Sequence, residues 1–324
     1  MRSLQQILDA YPRLRHALTP TPIQFLPVLS KTLGRAIYCK RDDMSGFGFG
    51  GNKIRKLEFL MHDAASKGCD TLVTCGSNQS NWCRMTAAIG AANRLEVHLV
   101  LGGGEPDRLT GNLLLDRILG AHLHHVLTND DAQLEMAAAA LAENLRSRGK
   151  QPYHMIMGGS TGLGTLGYMA AMEEIMTQES ELGVRFDAIV HATGSGGTQA
   201  GLVAGQVVSR WPGRIIGVSV SRHALAQETK VWSVLDTAAA MLETDLTRAS
   251  VIVNDRHVGG GYRKNTQEAE TAIHMFAQQE GLFLDRVYTG KAAAGLIAMA
   301  KNGEFNSEEK VLFLHTGGAT QLFE

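Results

Sequence analysis

The feature that most constrains the fold is a recurring beat. Short runs rich in Val, Ile and Leu, each closed by glycine or a polar turn, alternate with longer segments of helical periodicity. AIYCKRD is followed by a helical pattern from Asn52, TLVTCG by one from Asn81, and VHLVLGG by a third; FDAIVHATGSGG, IIGVSVS and VLFLHTGG resume the beat later. Unbroken apolar runs suit strands buried on both faces, and strands separated by helices pair in parallel. A polar stretch at Ser147–Pro152 and a break around His223–Glu228 with little strand character interrupt the series. The expected architecture is therefore α/β in two units, with a ligand cleft at the glycine-rich strand ends.

Composition narrows the ligand. The 324 residues are 44% hydrophobic and 19% charged, enough for a sizeable core, and the formal net charge is −1. No basic field exists to gather nucleic acid or an anionic membrane surface, so a small molecule is the expected partner. The opening MRSLQQILDAYPRLRHAL mixes charges with leucines and lacks the apolar core of a secretory signal, and no stretch reaches the roughly 20 apolar residues of a membrane span. Cys39, Cys69, Cys75 and Cys83 lack paired metal-ligand spacing and read as reduced, mostly buried thiols, which fits a cytoplasmic location. The histidines, including the adjacent His124 and His125, show no ligand-like spacing, and no metal is expected.

Three glycine-flanked segments carry the chemistry. In the first, Gly48 to Lys56, three glycines free the backbone to approach a ligand, and Asn52 can cap the following helix. The helix dipole with Arg55 and Lys56 would depress the pKa of Lys53 and make its neutral amine available for imine formation; the alternative is a basic, solvated first turn. The second, Gly76-Ser77-Asn78-Gln79-Ser80-Asn81-Trp82, joins a strand at Thr71–Thr74 to a helix of small residues, where hydroxyls, amides and free N–H groups could receive a carboxylate or simply cap the helix. The third, Thr193-Gly194-Ser195-Gly196-Gly197-Thr198, follows the strand Phe186–Ala192 and could cradle a phosphate. A dinucleotide site fails here, because Gln199 stands at the third glycine of the fingerprint and no acidic residue ends the strand Ile215–Ser221. A phosphate cradle, an imine lysine and a carboxylate receptor together describe pyridoxal phosphate bound to an amino acid.

With these motifs in view, the sequence resembles the D-cysteine desulfhydrase and 1-aminocyclopropane-1-carboxylate deaminase family of tryptophan-synthase-β-like pyridoxal-phosphate enzymes. GGNKIRKLEFL, GSNQSN, GNLLLD, GGSTGLGTLGY, TGSGGTQAGL, VYTGKAAAGL and LHTGG match in order from about Thr19 to Gly318. The resemblance implies two open, twisted, mostly parallel sheets flanked by helices, with a smaller domain over 54–165 and a larger one from 1–53 plus 166–324. Pyridoxal phosphate would lie in the cleft between them, in a homodimer. Position by position it assigns the cofactor to Lys53, phosphate support to Lys56 and to Ser195, Gly196, Gly197 and Thr198, and the cofactor's 3′-oxygen to Asn81. Ser80, Asn81, Trp82, Ser160 and Tyr288 would face the substrate, with Lys53, Ser80, Tyr262 and Tyr288 as the catalytic set. For the two tyrosines the alternative is ordinary packing of an amphipathic ring.

The implied reaction is an elimination: the cofactor acidifies the Cα–H bond, Lys53 or Ser80 takes the proton, and loss of a β-substituent leads to pyruvate and ammonium. Ring-opening deaminases of the family carry Glu after the second tyrosine, where this chain has Thr289, and leucine where it has Thr316. Hydroxyls can only hydrogen-bond the pyridine nitrogen, which favours β-elimination, with D-cysteine as the expected substrate and sulfide as the leaving group. Trp82 and the pair Arg263-Lys264 depart from the family pattern. If one of those charges enters the cleft, L-cysteate becomes the alternative substrate. A binding protein that holds the cofactor without turnover is the alternative of another class.

Overall fold

Glycine-closed apolar runs become strands, and the intervening periodic segments become the helices that cover them. The computed structural model describes residues 2–324. In chain order the elements are α1 (Leu4–Asp9), β1 (Ile23–Phe25), α2 (Pro27–Leu33), β2 (Ile37–Lys40), α3 (Lys53–Ser66), β3 (Thr71–Ser77), α4 (Asn81–Ala92), β4 (Glu96–Gly102), α5 (Gly111–Ile118), β5 (His122–Val126) and α6 (Asp131–Ser147). There follow β6 (Pro152–His154), α7 (Gly162–Leu182), β7 (Ala188–Thr193), α8 (Gly197–Ser209), β8 (Arg214–Ser219), α9 (Ala224–Leu242), β9 (Ile252–Asn254), α10 (Gln267–Glu280), α11 (Thr289–Lys301) and β10 (Val311–Leu314).

Two sheets result, as expected. One has the order β1-β2-β10-β7-β8-β9 and the other β5-β4-β3-β6. Every pairing is parallel except β1 with β2. The inner strands, β3 and β4 of one sheet and β10, β7 and β8 of the other, are buried on both faces, which is why they read as nearly continuous apolar runs. In β7, Ile189 packs under α7, α8 and α9, while Ala188 and Val190 face α2, α10 and α11. In β3, Leu72 faces α3 and α4, and Val73 and Cys75 face α6. The break expected at His223–Glu228 is instead the start of the 19-residue α9, whose N-cap residue His223 makes no side-chain capping hydrogen bond. Ser147–Pro152 does connect the end of α6 to β6.

Helix α3 connects the two sheets and is fixed by close contact and by charge. A Cβ on Gly167 of α7 would stand 2.5 Å from the Arg55 backbone carbonyl, so only glycine lets α7 run against α3. Beneath this contact Arg55 is 1% exposed and pairs with Asp42 (2.8 Å) and Glu174 (2.9 Å), while the Tyr168 hydroxyl donates to Asp42 (2.6 Å). Burial pushes the Asp42 carboxyl up, but the Arg55 guanidinium overrides it and holds the group below the usual carboxylate range. All four cysteines are free thiols, and Cys39, Cys75 and Cys83 are buried. Among the described residues no helix is long and apolar enough to cross a membrane.

Candidate active site

Both sheets point their strand C-termini at one cavity of about 1060 Å³. Its wall includes Lys53, Ser80, Asn81, Trp82, Ser195, Gly196, Thr198, Tyr262, Tyr288 and Thr316, so the fold assembles ten of the site residues expected from sequence. Lys56, Ser160 and Gly197 lie behind the wall and not in it. The Gly197 N–H donates to the Ser160 hydroxyl (3.3 Å), and Lys56 Nζ donates to the Gly158 carbonyl (3.0 Å). Ser160, expected against the substrate, is thus a support under the 193–198 loop.

Lys53 opens α3 directly after the glycine loop. Gly50 adopts φ +66, and a Cβ there would meet the Asp43 carbonyl oxygen at 1.9 Å, so the loop admits no side chain at this turn. Burial foremost, and then the Arg84 guanidinium, lower the Lys53 pKa to about 8 against the opposing pull of Asp285. Arg55 is not the cause, because it turns away to Asp42 and Glu174. Nor does Asn52 cap the helix with its side chain; its amide donates to the Thr198 hydroxyl (2.9 Å) and so ties the lysine loop to the 193–198 loop.

Arg84, on α4, was not anticipated from sequence. It is 2% exposed and donates to the Gly48 (2.6 Å) and Gly50 (3.2 Å) carbonyls, clamping the loop that delivers Lys53. An arginine inside a helix of otherwise small and apolar residues was the available signal.

The second loop does two jobs at once. Ser80 is the N-cap of α4, its hydroxyl accepting the Cys83 N–H (3.2 Å), and it still lines the cavity. Asn81 is oriented by Asn112, whose amide donates to the Asn81 carbonyl oxygen (2.8 Å). Trp82 is 2% exposed, its indole N–H satisfied by the Thr74 hydroxyl (2.7 Å), and its ring fills the space over Gly159; it is a core residue with one edge on the cavity. The third loop connects β7 to α8, with Gly196 at φ +88. A Cβ on Gly197 would come within 2.9 Å of both Lys56 Nζ and Ser160 Oγ, so only glycine lets the loop pack on this support, while Ser195, Gly196 and Thr198 carry the N-terminus of α8 to the cavity wall.

On the opposite wall the hydroxyls of Tyr262 and Tyr288 meet at 2.5 Å. Burial raises both phenol pKa values, so each remains protonated near neutral pH. Lys291, buried in α11, donates to the Val258 (2.8 Å) and Gly261 (2.9 Å) carbonyls and so holds the turn that precedes Tyr262. Thr316 lines the cavity, but Thr289 does not: its hydroxyl donates to Asp285 (2.7 Å), whose carboxylate also accepts the Val287, Tyr288 and Thr289 N–H groups at the start of α11. At the mouth, Arg222 donates to the Gly194 carbonyl (3.1 Å) and pairs with Asp131 of α6 (2.5 Å), bridging the cleft. Arg263 and Lys264 also border the cavity, the Arg263 guanidinium bound to Glu324 (2.7 Å).

Comparison with known proteins agrees with this geometry. A family model described as pyridoxal-phosphate dependent enzyme matches residues 14–317. A Pyrococcus furiosus protein named "Putative 1-aminocyclopropane-1-carboxylate deaminase" is 40% identical over 99% of this chain and 96% of its own length. A D-cysteine desulfhydrase of Klebsiella pneumoniae is 41% identical over 98% of this chain and 97% of its own. The crystal structure of an ACC deaminase homologue superposes with a TM-score of 0.93 at 39% identity, covering 100% of this chain and 97% of that one. The chain belongs to the pyridoxal-phosphate dependent enzymes, in the group that contains the 1-aminocyclopropane-1-carboxylate deaminases and the D-cysteine desulfhydrases.

Proposed function

We propose that this enzyme catalyses β-elimination on D-cysteine, which with water yields pyruvate, ammonium and hydrogen sulfide. The bound cofactor supplies an electron sink that acidifies the substrate Cα–H bond. The residues present fit that group: Ser195, Gly196 and Thr198 bring the N-terminus of α8 to the cavity wall, and Lys53 places an amine with a pKa of about 8 in the same cavity. Lys53 would hold the cofactor covalently. Ser195, Gly196, Gly197 and Thr198 would take its phosphate, with Lys56 beneath them, Asn81 would meet the 3′-oxygen, and Thr316 would offer a hydroxyl to the ring nitrogen.

The chain's own side chains divide the remaining work. Because the Ser80 oxygen accepts the Cys83 N–H, its proton is left to point into the cavity toward a substrate carboxylate. The Lys53 amine, with a pKa of about 8, would be neutral often enough near pH 8 to take the Cα proton, with Ser80 as the alternative base. The Tyr262–Tyr288 pair can donate a proton to the departing sulfur, since burial keeps both phenols protonated. The Arg222–Asp131 bridge narrows the mouth against water.

The observation that carries elimination over ring opening is the neutral hydroxyl of Thr316 on the cavity wall, with the nearby Asp285 carboxylate turned into the cap of α11. A second reading is favoured by Arg222, Arg263 and Lys264 around the cavity: a substrate with an acidic β-substituent, such as L-cysteate. Parallel assay of 2-keto acid release from D-cysteine, L-cysteine, L-cysteate and 1-aminocyclopropane-1-carboxylate separates the readings. D-cysteine is expected to give pyruvate with sulfide in equal amounts. Faster turnover of L-cysteate or of the cyclopropane substrate would overturn the assignment to D-cysteine.

A further inference from the structure

Away from the cleft, parallel pairing of β4 with β5 does what linear spacing did not suggest: it gathers three histidines and a glutamate. His98 is the register partner of His122, and Val100 that of His124. Side chains two apart on a strand share a face, so Glu96, His98, His122 and His124 all project to the same side of the sheet. The His98 ring stacks on His122 at 4.6 Å and on His124 at 5.2 Å between centroids.

We propose that Glu96, His98 and His122 form a binding site for a divalent transition-metal ion of the zinc or nickel type, unrelated to the lyase chemistry. One Glu96 oxygen lies 2.8 Å from His98 Nε2 and 3.6 Å from His122 Nε2, and one ligand atom from each of the three residues falls within 4.8 Å of the others. Metal–ligand bonds of about 2.0–2.2 Å in tetrahedral geometry separate neighbouring ligand atoms by about 3.3 Å, so small side-chain rotations suffice. Two imidazoles and a carboxylate suit zinc, nickel or copper over calcium or magnesium. His122 is 57% exposed, which gives an ion a path of entry and leaves a coordination position for water.

The outer partners are also in place. His98 Nδ1 lies 2.9 Å from His124 Nε2, so donation of its proton to His124 fixes the tautomer that turns the lone pair of Nε2 toward Glu96 and the ion. The second Glu96 oxygen is held by Lys150 at 2.5 Å. Without an ion, the reverse tautomer, with His98 Nε2–H donating to Glu96, satisfies the same atoms.

Titration of the full-length holoenzyme with Zn²⁺, repeated with Ni²⁺, tests the site by calorimetry. Wild-type protein is expected to bind one ion per chain, and H122A, at an exposed position that leaves the fold intact, to lose this saturable phase. H124A is expected to weaken binding by about 10–100-fold through the outer partner. Absence of a saturable phase in the wild type, or an H122A titration that matches the wild type, would overturn the inference. Activity on amino acids is no part of the readout, so either result leaves the lyase reading untouched.

Discussion

Burial and the Arg84 guanidinium lower the Lys53 pKa to about 8 against the pull of Asp285. Local reasoning assigns its lowered pKa to Arg55 and Lys56 because they are adjacent in sequence. In the fold, Arg55 points to Asp42 and Glu174, and the cation that faces Lys53 is Arg84, from a helix on the other side of the glycine loop. Which way a side chain turns depends on partners far along the chain, and no spacing rule supplies them. The same holds for Thr289, whose hydroxyl is claimed by Asp285 four residues earlier. Two expectations follow. An amine must be neutral to attack, so the rate of cofactor attachment to the apoenzyme should fall about tenfold per pH unit below the Lys53 pKa of about 8 and level off above it, as followed by absorbance. Arg84→Met removes a nearby positive charge, so the midpoint of that profile should move upward, and loss of the clamp on Gly48 and Gly50 should cost about 1–3 kcal/mol of stability in urea. An unchanged midpoint would remove Arg84 from the account.

At the scale of elements, the apolar runs and glycine punctuation mark β2, β3, β4, β7, β8 and β10, because burial on both faces leaves a near-continuous apolar pattern, whereas the edge strands β1, β5, β6 and β9 are short or partly exposed and carry no such mark. The start of α9 escaped, since a helix that opens after His223 without a side-chain cap offers no boundary signal until the long stretch beyond it is counted. The packing of α3 on α7 was also invisible: nothing local marks Gly167 as the point where two backbones touch. Gly167→Ala should therefore cost about 1–3 kcal/mol by forcing α7 off α3. Arg55→Ala strands the Asp42 carboxylate without its partner and should cost about 3–5 kcal/mol, measured by denaturant unfolding. A loss below 1 kcal/mol in the Arg55 variant would mean that the buried ion cluster does not fix α3.

Across the whole molecule, the two sheets meet at a cavity whose walls come from eleven separate stretches of the chain, and the Arg222–Asp131 pair spans its mouth. Both partners are partly solvated, and such pairs contribute about 0–1 kcal/mol, so Arg222→Ala should raise KM by no more than about fivefold with kcat little changed. The homodimer implied by family resemblance predicts a light-scattering mass of twice the 34.9 kDa chain. Sequence placed the three loops of the cleft; it could not show that Arg222 reaches from β8 to α6, because that contact exists only once both sheets have formed. The central claim is that Lys53 carries the cofactor in this cleft. Borohydride reduction of the holoenzyme, digestion and mass mapping test it directly: the account predicts the reduced cofactor on the peptide containing Lys53, at that residue, whereas modification at Lys56 or Lys291 with Lys53 free would contradict it.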